Sequence, residues 1–148
     1  MMEKVKALVV AVITTLLISG CSSPVVEEKL GSCSTEQGVA VKDHISKQIN
    51  AIADGDWQRA YDYAAPSFKQ AITLTEFKQV ISKQYLFLIF NNGINFGECK
   101  NTDQGINQIV YIDFQGKKRT LSYDLTLTDK RLGVVAANEI EQKVEVAA

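Results

Sequence analysis

The sequence predicts an α+β domain: three N-terminal helices packed on one face of a curved antiparallel sheet of four to five strands. Two observations carry that prediction. Between residues 35 and 85 apolar residues recur at three- and four-residue spacing, the period of a helix with one buried face. From residue 94 onward they alternate with polar residues, the period of a half-buried strand. A run of helices followed by a run of strands is the order of an α+β fold. The 148 residues suffice for one domain of usual size. At 46% apolar and a net charge of −1, the chain is not compositionally disordered. Nor is it basic enough for a general nucleic-acid binder, so no nucleic-acid partner is expected.

Ahead of the helices, residues 1–20 (MMEKVKALVVAVITTLLISG) open with Lys4 and Lys6 and continue with an uncharged apolar run over 7–18. The run falls short of the roughly 20 apolar residues of a membrane-spanning helix and has the layout of a secretory signal. Ile18-Ser19-Gly20-Cys21 resembles the lipobox of bacterial lipoproteins. The resemblance implies cleavage before Cys21, a diacylglycerol on its thiol and an acyl chain such as palmitate on its amine. Such chains anchor a protein stably to a membrane. Ser22 follows the Cys. In Gram-negative lipoproteins Asp at that position retains the protein at the inner membrane, so the resemblance implies the outer membrane, facing the periplasm. The expected organisation is a lipoprotein signal peptide over 1–20, a lipid-anchored flexible tether over 21–34 and one domain over 35–148.

With Cys21 lipidated, Cys33 and Cys99 remain, an even pair in an oxidising compartment. A disulfide between them would close a loop of about 67 residues and stabilise the fold by ~4 kcal/mol. Two separate thiols are the alternative, and the approach of the two Cα atoms decides.

The first helix opens at Thr35, carries Val41, Ile45, Gln48, Ile49 and Ile52 in one stripe, and stops at Gly55 in a left-handed C-cap. Asp56 caps the second helix, which puts Trp57, Ala60, Tyr61 and Ala64 on one face and ends at Pro66. Thr73 and Glu76 form a capping box ahead of Phe77, Val80, Ile81 and Tyr85. Residues 86–90 are either the end of that third helix or a strand entering an Asn-Gly hairpin; five residues are too few for periodicity to decide.

Residues 94–101, 109–114, 121–127 and 131–140 read as strands. A type II′ turn at Gly116-Lys117 would face Ile112 with Leu121 and Val110 with Tyr123, leaving Tyr111–Ser122 and Asp113–Thr120 on the other face. A tight turn at Asp129-Lys130 would set Leu132 beside Leu127 and Val134 beside Leu125.

Asp54-Gly55-Asp56-Trp57-Gln58-Arg59-Ala60-Tyr61, Ala65-Pro66-Ser67-Phe68 and Thr75-Glu76-Phe77-Lys78 together resemble the nuclear transport factor two-like (cystatin-like) superfamily, over roughly residues 38–141. The resemblance implies a cone between the helices and the sheet. The last turn departs from it: Asp129-Lys130-Arg131-Leu132-Gly133-Val134 stands where that family closes with D-G-x-W-x-I. The superfamily includes isomerase-like enzymes, protein-binding modules and members of unknown role, so fold alone selects no function.

Motifs for chemistry are sparse. The chain contains no G-x-S-x-G, H-E-x-x-H, Gly-rich phosphate loop or C-x-x-C. His44 is the single histidine and lies off the apolar stripe, so no metal site and no cofactor are expected. An isomerase-like site needs a carboxylate base beside an oxyanion hole, and the derived register points Asp113 and Asp124 away from the helices. Three readings follow, in order of preference. The first is a lipid-anchored envelope protein acting as a non-catalytic accessory or protein-binding module, its partner another envelope protein. The second is a binder of a small apolar ligand in the cone, lined by Trp57, Tyr61, Phe77, Val110, Ile112 and Tyr123. The third is an isomerase-like enzyme. Tyrosines at the spacing of Tyr61 and Tyr123 are more often core packing with a hydroxyl at the rim than pocket lining. Lys117-Lys118-Arg119 is a solvated turn that blunts aggregation, or a contact for anionic lipid or a partner.

Overall fold

The Ser34 hydroxyl accepts the Gln37 N–H (3.2 Å) and so starts helix α1, Thr35–Ala53. The computed structural model describes residues 30–141. Val41, Ile45, Gln48, Ile49 and Ile52 are all buried, as a one-sided helix requires. The helix closes when Gly55 N–H bonds Ile52 O (3.1 Å) and Asp56 N–H bonds Ala51 O (2.9 Å). This Schellman arrangement needs the left-handed backbone that Gly55 supplies at φ 73°.

The Asp56 carboxylate caps α2, Trp57–Asp62, by accepting the Arg59 N–H. That helix stops at Asp62, before Pro66, and Pro66 instead opens α3, Pro66–Ala71, from a first-turn position where its missing N–H costs nothing. The Thr73–Glu76 capping box starts α4, Leu74–Gln84, with both reciprocal bonds made. Residues left open between helix and strand form a short helix, α5, Leu86–Ile89. The helical layer thus has five helices in place of the expected three. At six and four residues, α3 and α5 are too short to display a 3.6-residue period.

The sheet is five-stranded and antiparallel throughout, in sequence order: β1 Gly31–Ser32, β2 Gly93–Thr102, β3 Gly105–Phe114, β4 Lys117–Thr128 and β5 Arg131–Glu139. β1 lies inside the segment expected as tether, pairing Gly31 with Asn101 and Ser32 with Lys100. Cys33 and Cys99 are bridged, with Cα atoms 5.5 Å apart. The expected signal peptide over 1–20, Cys21 and the expected tether as far as residue 29 lie outside the described residues, as do residues 142–148. No helix among the described residues is long and apolar enough to cross a membrane.

The β3–β4 turn corrects the expected one. Its two central residues are Gln115 and Gly116, at φ 50° and 73°, a pair of positive values that belongs to a type I′ turn. Val110 therefore faces Leu121 and Ile112 faces Arg119. Asn92 draws the turn to that position: its N–H donates to Asp113 O (2.7 Å) and its Oδ1 accepts the Gln115 N–H (3.3 Å). The difference is two residues along β4, so every side chain keeps its face. Ile106, Val110, Ile112, Leu121, Tyr123 and Leu125 lie buried under the helices. On the other face Asn107 bonds Ser122 and Asp124, and Asn95 lies beside Asp113. At Asp129-Lys130 the turn pairs Leu127 with Leu132 and Leu125 with Val134, as expected.

Two bulges bend the sheet, one in β2 between Phe96 and Cys99, the other between Asp124 and Leu125 where β4 meets β5. Gln108, fully buried, holds the first by donating Nε2 to the Gly97 and Glu98 carbonyls at 3.0 and 3.2 Å. The outer edge of β5 is closed in mid-strand by the α2–α3 link. Ala65 N–H donates to Val134 O (2.8 Å), and Val134 N–H donates to Tyr63 O (3.0 Å).

Candidate functional site

Helices α1, α3, α4 and α5, Ala64 of the α2–α3 link and the β4–β5 pair line a partly open cavity of about 140 Å³. One wall is aromatic. The Phe68 and Phe77 rings meet edge to face at 6.0 Å, and Tyr61 stands behind them at 5.8 Å from Phe77. The Tyr61 hydroxyl is fully used, donating to Ile72 O at 2.6 Å and lying 3.2 Å from Lys69 O. It ties the end of α3 in place without entering the cavity. Ile52, Ile81 and Leu88 contribute aliphatic surface, and Ala64, Ala136 and Ala137 leave room where larger side chains would fill it.

Of the six residues expected to line a pocket, the cavity takes in Phe77 and Tyr123. Val110 and Ile112 are fully buried core beneath the helices and lie outside the lining. Trp57 is half-buried and packs against the core outside the lining, with the Lys78 ammonium 5.7 Å from its ring. The expected lining erred because it placed the space over the middle of β3. Val110 and Ile112 are sealed in the core there, and the gap falls nearer β5, where the chain carries Ala136 and Ala137.

The polar side chains of the lining are Gln48, Tyr85 and Tyr123. Gln48 is 3% exposed and donates Nε2 to Ala60 O (3.2 Å). Tyr85 donates its hydroxyl to Ala137 O (3.2 Å), tying α4 to β5. Tyr123 is 1% exposed and its hydroxyl makes no hydrogen bond to a described residue. Burial, and secondarily the neighbouring Tyr85, pushes its pKa well above the ordinary tyrosine range, so it stays a neutral donor. Tyr85, Phe68 and the small residues of β5 carried no signal that sequence reasoning could separate from ordinary core. Gln48 was the exception, a polar residue on an apolar stripe.

Outside the cavity, His44 of α1 donates Nε2–H to Tyr63 O (2.9 Å) and meets the Tyr63 ring edge-on at 5.0 Å. Desolvation lowers its pKa below 6.5, against the opposing pull of that bond to Tyr63. The unfolded chain therefore takes up the proton first. His44 contributes stability that is complete above about pH 6.5 and is lost as pH falls through its folded value. Urea midpoints should drop between pH 7.5 and 5.5, and His44→Gln should flatten part of that drop; an unchanged slope in the variant would assign the loss to other groups.

Among the described residues no group of three or more His, Cys, Asp or Glu is placed to hold a metal ion. A polar cleft of about 460 Å³ lies beside the α2–α3 link, with Asp62, Asp129, Lys69 and Arg131 at its walls. Its mixed charges select neither an anion nor a cation. Residues 34–145 match a family described as a domain of unknown function, DUF4864. No curated protein and no solved structure matches the chain.

Proposed function

We propose that this chain, which belongs to the DUF4864 family, is a non-catalytic binding protein of the bacterial cell envelope whose domain takes a small apolar ligand between its helices and its sheet. The observation that carries the proposal is the cavity of about 140 Å³ with an almost wholly apolar lining. Cavities of about 150 Å³ lined by Leu, Ile and Phe stay dry and accept a benzene-sized guest. Water gains too few partners in such a space, so an apolar guest meets little competition. Proton-transfer chemistry finds no carboxylate in the lining, and Asp113 and Asp124 belong to the opposite face of the sheet.

The lipobox-like Ile18-Ser19-Gly20-Cys21 supports attachment through lipid on Cys21 after removal of residues 1–20, at the outer membrane facing the periplasm. In that setting the Cys33–Cys99 disulfide is at home. Helices covering an antiparallel meander with a cavity between them support distant membership of the nuclear transport factor two-like superfamily. A second reading, contact with another envelope protein, draws on Leu86 and Phe90 of α5 and its end, which are 46% and 64% exposed.

Native mass spectrometry of the protein purified without detergent tests the first reading. The wild type should carry a reproducible extra mass or bind benzene saturably. Ala137→Leu, which extends a larger side chain beside the cavity, should lose both while keeping its unfolding midpoint. Bare wild-type protein that also ignores benzene would sink the proposal and leave capture of an envelope partner as the next experiment.

A further inference from the structure

Tyr123 stands in the middle of β4, faces the helices and is 1% exposed. A buried tyrosine hydroxyl ordinarily finds a partner. This one has none among the described residues, whereas Tyr61 and Tyr85, the other tyrosines packed against the core, both donate to backbone carbonyls. Two buried side-chain polar atoms among the described residues are both sealed and unpartnered, Gln108 Oε1 and Thr120 Oγ1, and the Tyr123 hydroxyl oxygen is neither of them. Tyr123 is one of the residues that line the apolar cavity, so its side chain borders that space.

We infer that the cavity selects apolar molecules carrying one hydrogen-bond acceptor, such as a ketone, which accepts a hydrogen bond from the Tyr123 hydroxyl. The inference rests on the ligand-binding reading above and adds its chemical class. An unpartnered hydroxyl in an apolar site costs free energy that a guest with an acceptor recovers and a pure hydrocarbon does not. Neither neighbouring polar side chain is hydrogen-bonded to the Tyr123 hydroxyl: Tyr85 donates to Ala137 O and Gln48 Nε2 to Ala60 O. Burial keeps the phenol protonated, so it is available as a donor.

The isosteric probes cyclohexanone and methylenecyclohexane differ in C=O against C=CH₂, so their comparison isolates the acceptor. Both would be titrated by amide chemical shift into the full chain carrying Cys21→Ser, which cannot take the lipid. Tyr123→Phe should weaken cyclohexanone about fivefold, since one neutral hydrogen bond nets about 1 kcal/mol and 1.4 kcal/mol is tenfold. Methylenecyclohexane should stay within twofold, which also shows that the variant is folded. Equal effects on the two probes would overturn the inference and leave the cavity reading standing. Failure of the parent chain to bind either probe would overturn the cavity reading itself. Independently of any variant, the carbonyl stretch of bound cyclohexanone should fall below its position in hexane, and an unmoved stretch would also overturn the inference.

Discussion

Replacing both Cys33 and Cys99 with serine is expected to lower the free energy of unfolding by about 2–5 kcal/mol, the range for native disulfides of small secreted domains. The bridge spans 66 residues of sequence, and loop-closure entropy at that length amounts to ~4 kcal/mol. Little else holds the strand it anchors. β1 is two residues long, and next to it Cys33 N–H donates to Cys99 O at 3.1 Å. Beyond that, the Gln37 and Asn101 side-chain amides exchange a reciprocal pair of hydrogen bonds at 2.7 and 2.9 Å. The loss should therefore appear locally as well as globally, with early hydrogen exchange at Cys33 and at the start of α1. Urea denaturation with and without reductant measures it. A difference under about 1 kcal/mol would mean that the closed loop is already compact in the unfolded chain.

The second large effect is Gly133→Ala, expected to cost about 2–4 kcal/mol. An added Cβ would lie 2.6 Å from Ala65 Cα and 2.9 Å from Ala65 Cβ, so backbone rather than a flexible side chain must give way. Overpacking of this kind costs 1–3 kcal/mol. The only relief is to push the α2–α3 link off β5, which breaks the Ala65–Val134 and Val134–Tyr63 hydrogen bonds at about 1 kcal/mol each. Ala64 and Val134 also line the cavity, so benzene binding should weaken with stability. Gly38→Ala is the control: nothing lies within 4 Å of its added Cβ, and alanine in a helix gains up to about 1 kcal/mol over glycine. If both variants unfold alike, close backbone approach at Gly133 is not what the fold depends on.

Most element boundaries were legible because they rest on local chemistry. The Gly55 C-cap, the Asp56 N-cap and the Thr73–Glu76 box each act within a few residues, and all three form. Faces were legible too, since period 2 survives even the misplaced β3–β4 turn. What could not be read has a common physical character. β1 exists through a partner some seventy positions away and a disulfide, the turn is drawn to Gln115-Gly116 by Asn92, and α3 and α5 are shorter than two turns.

By itself the sequence determined the α+β order, the buried side of each long element, the pairing of β4 with β5 and the two cysteines available for a bridge. Only the tertiary structure decided where space was left over. A cavity is the small remainder after many side chains from separate elements have filled a shared volume, so no single residue announces it. Ala64, Ala136 and Ala137 leave that remainder beside β5 rather than over Val110 and Ile112. The freedom of the Tyr123 hydroxyl follows from the same cause, because a donor is unpartnered only when every element that could reach it has been placed.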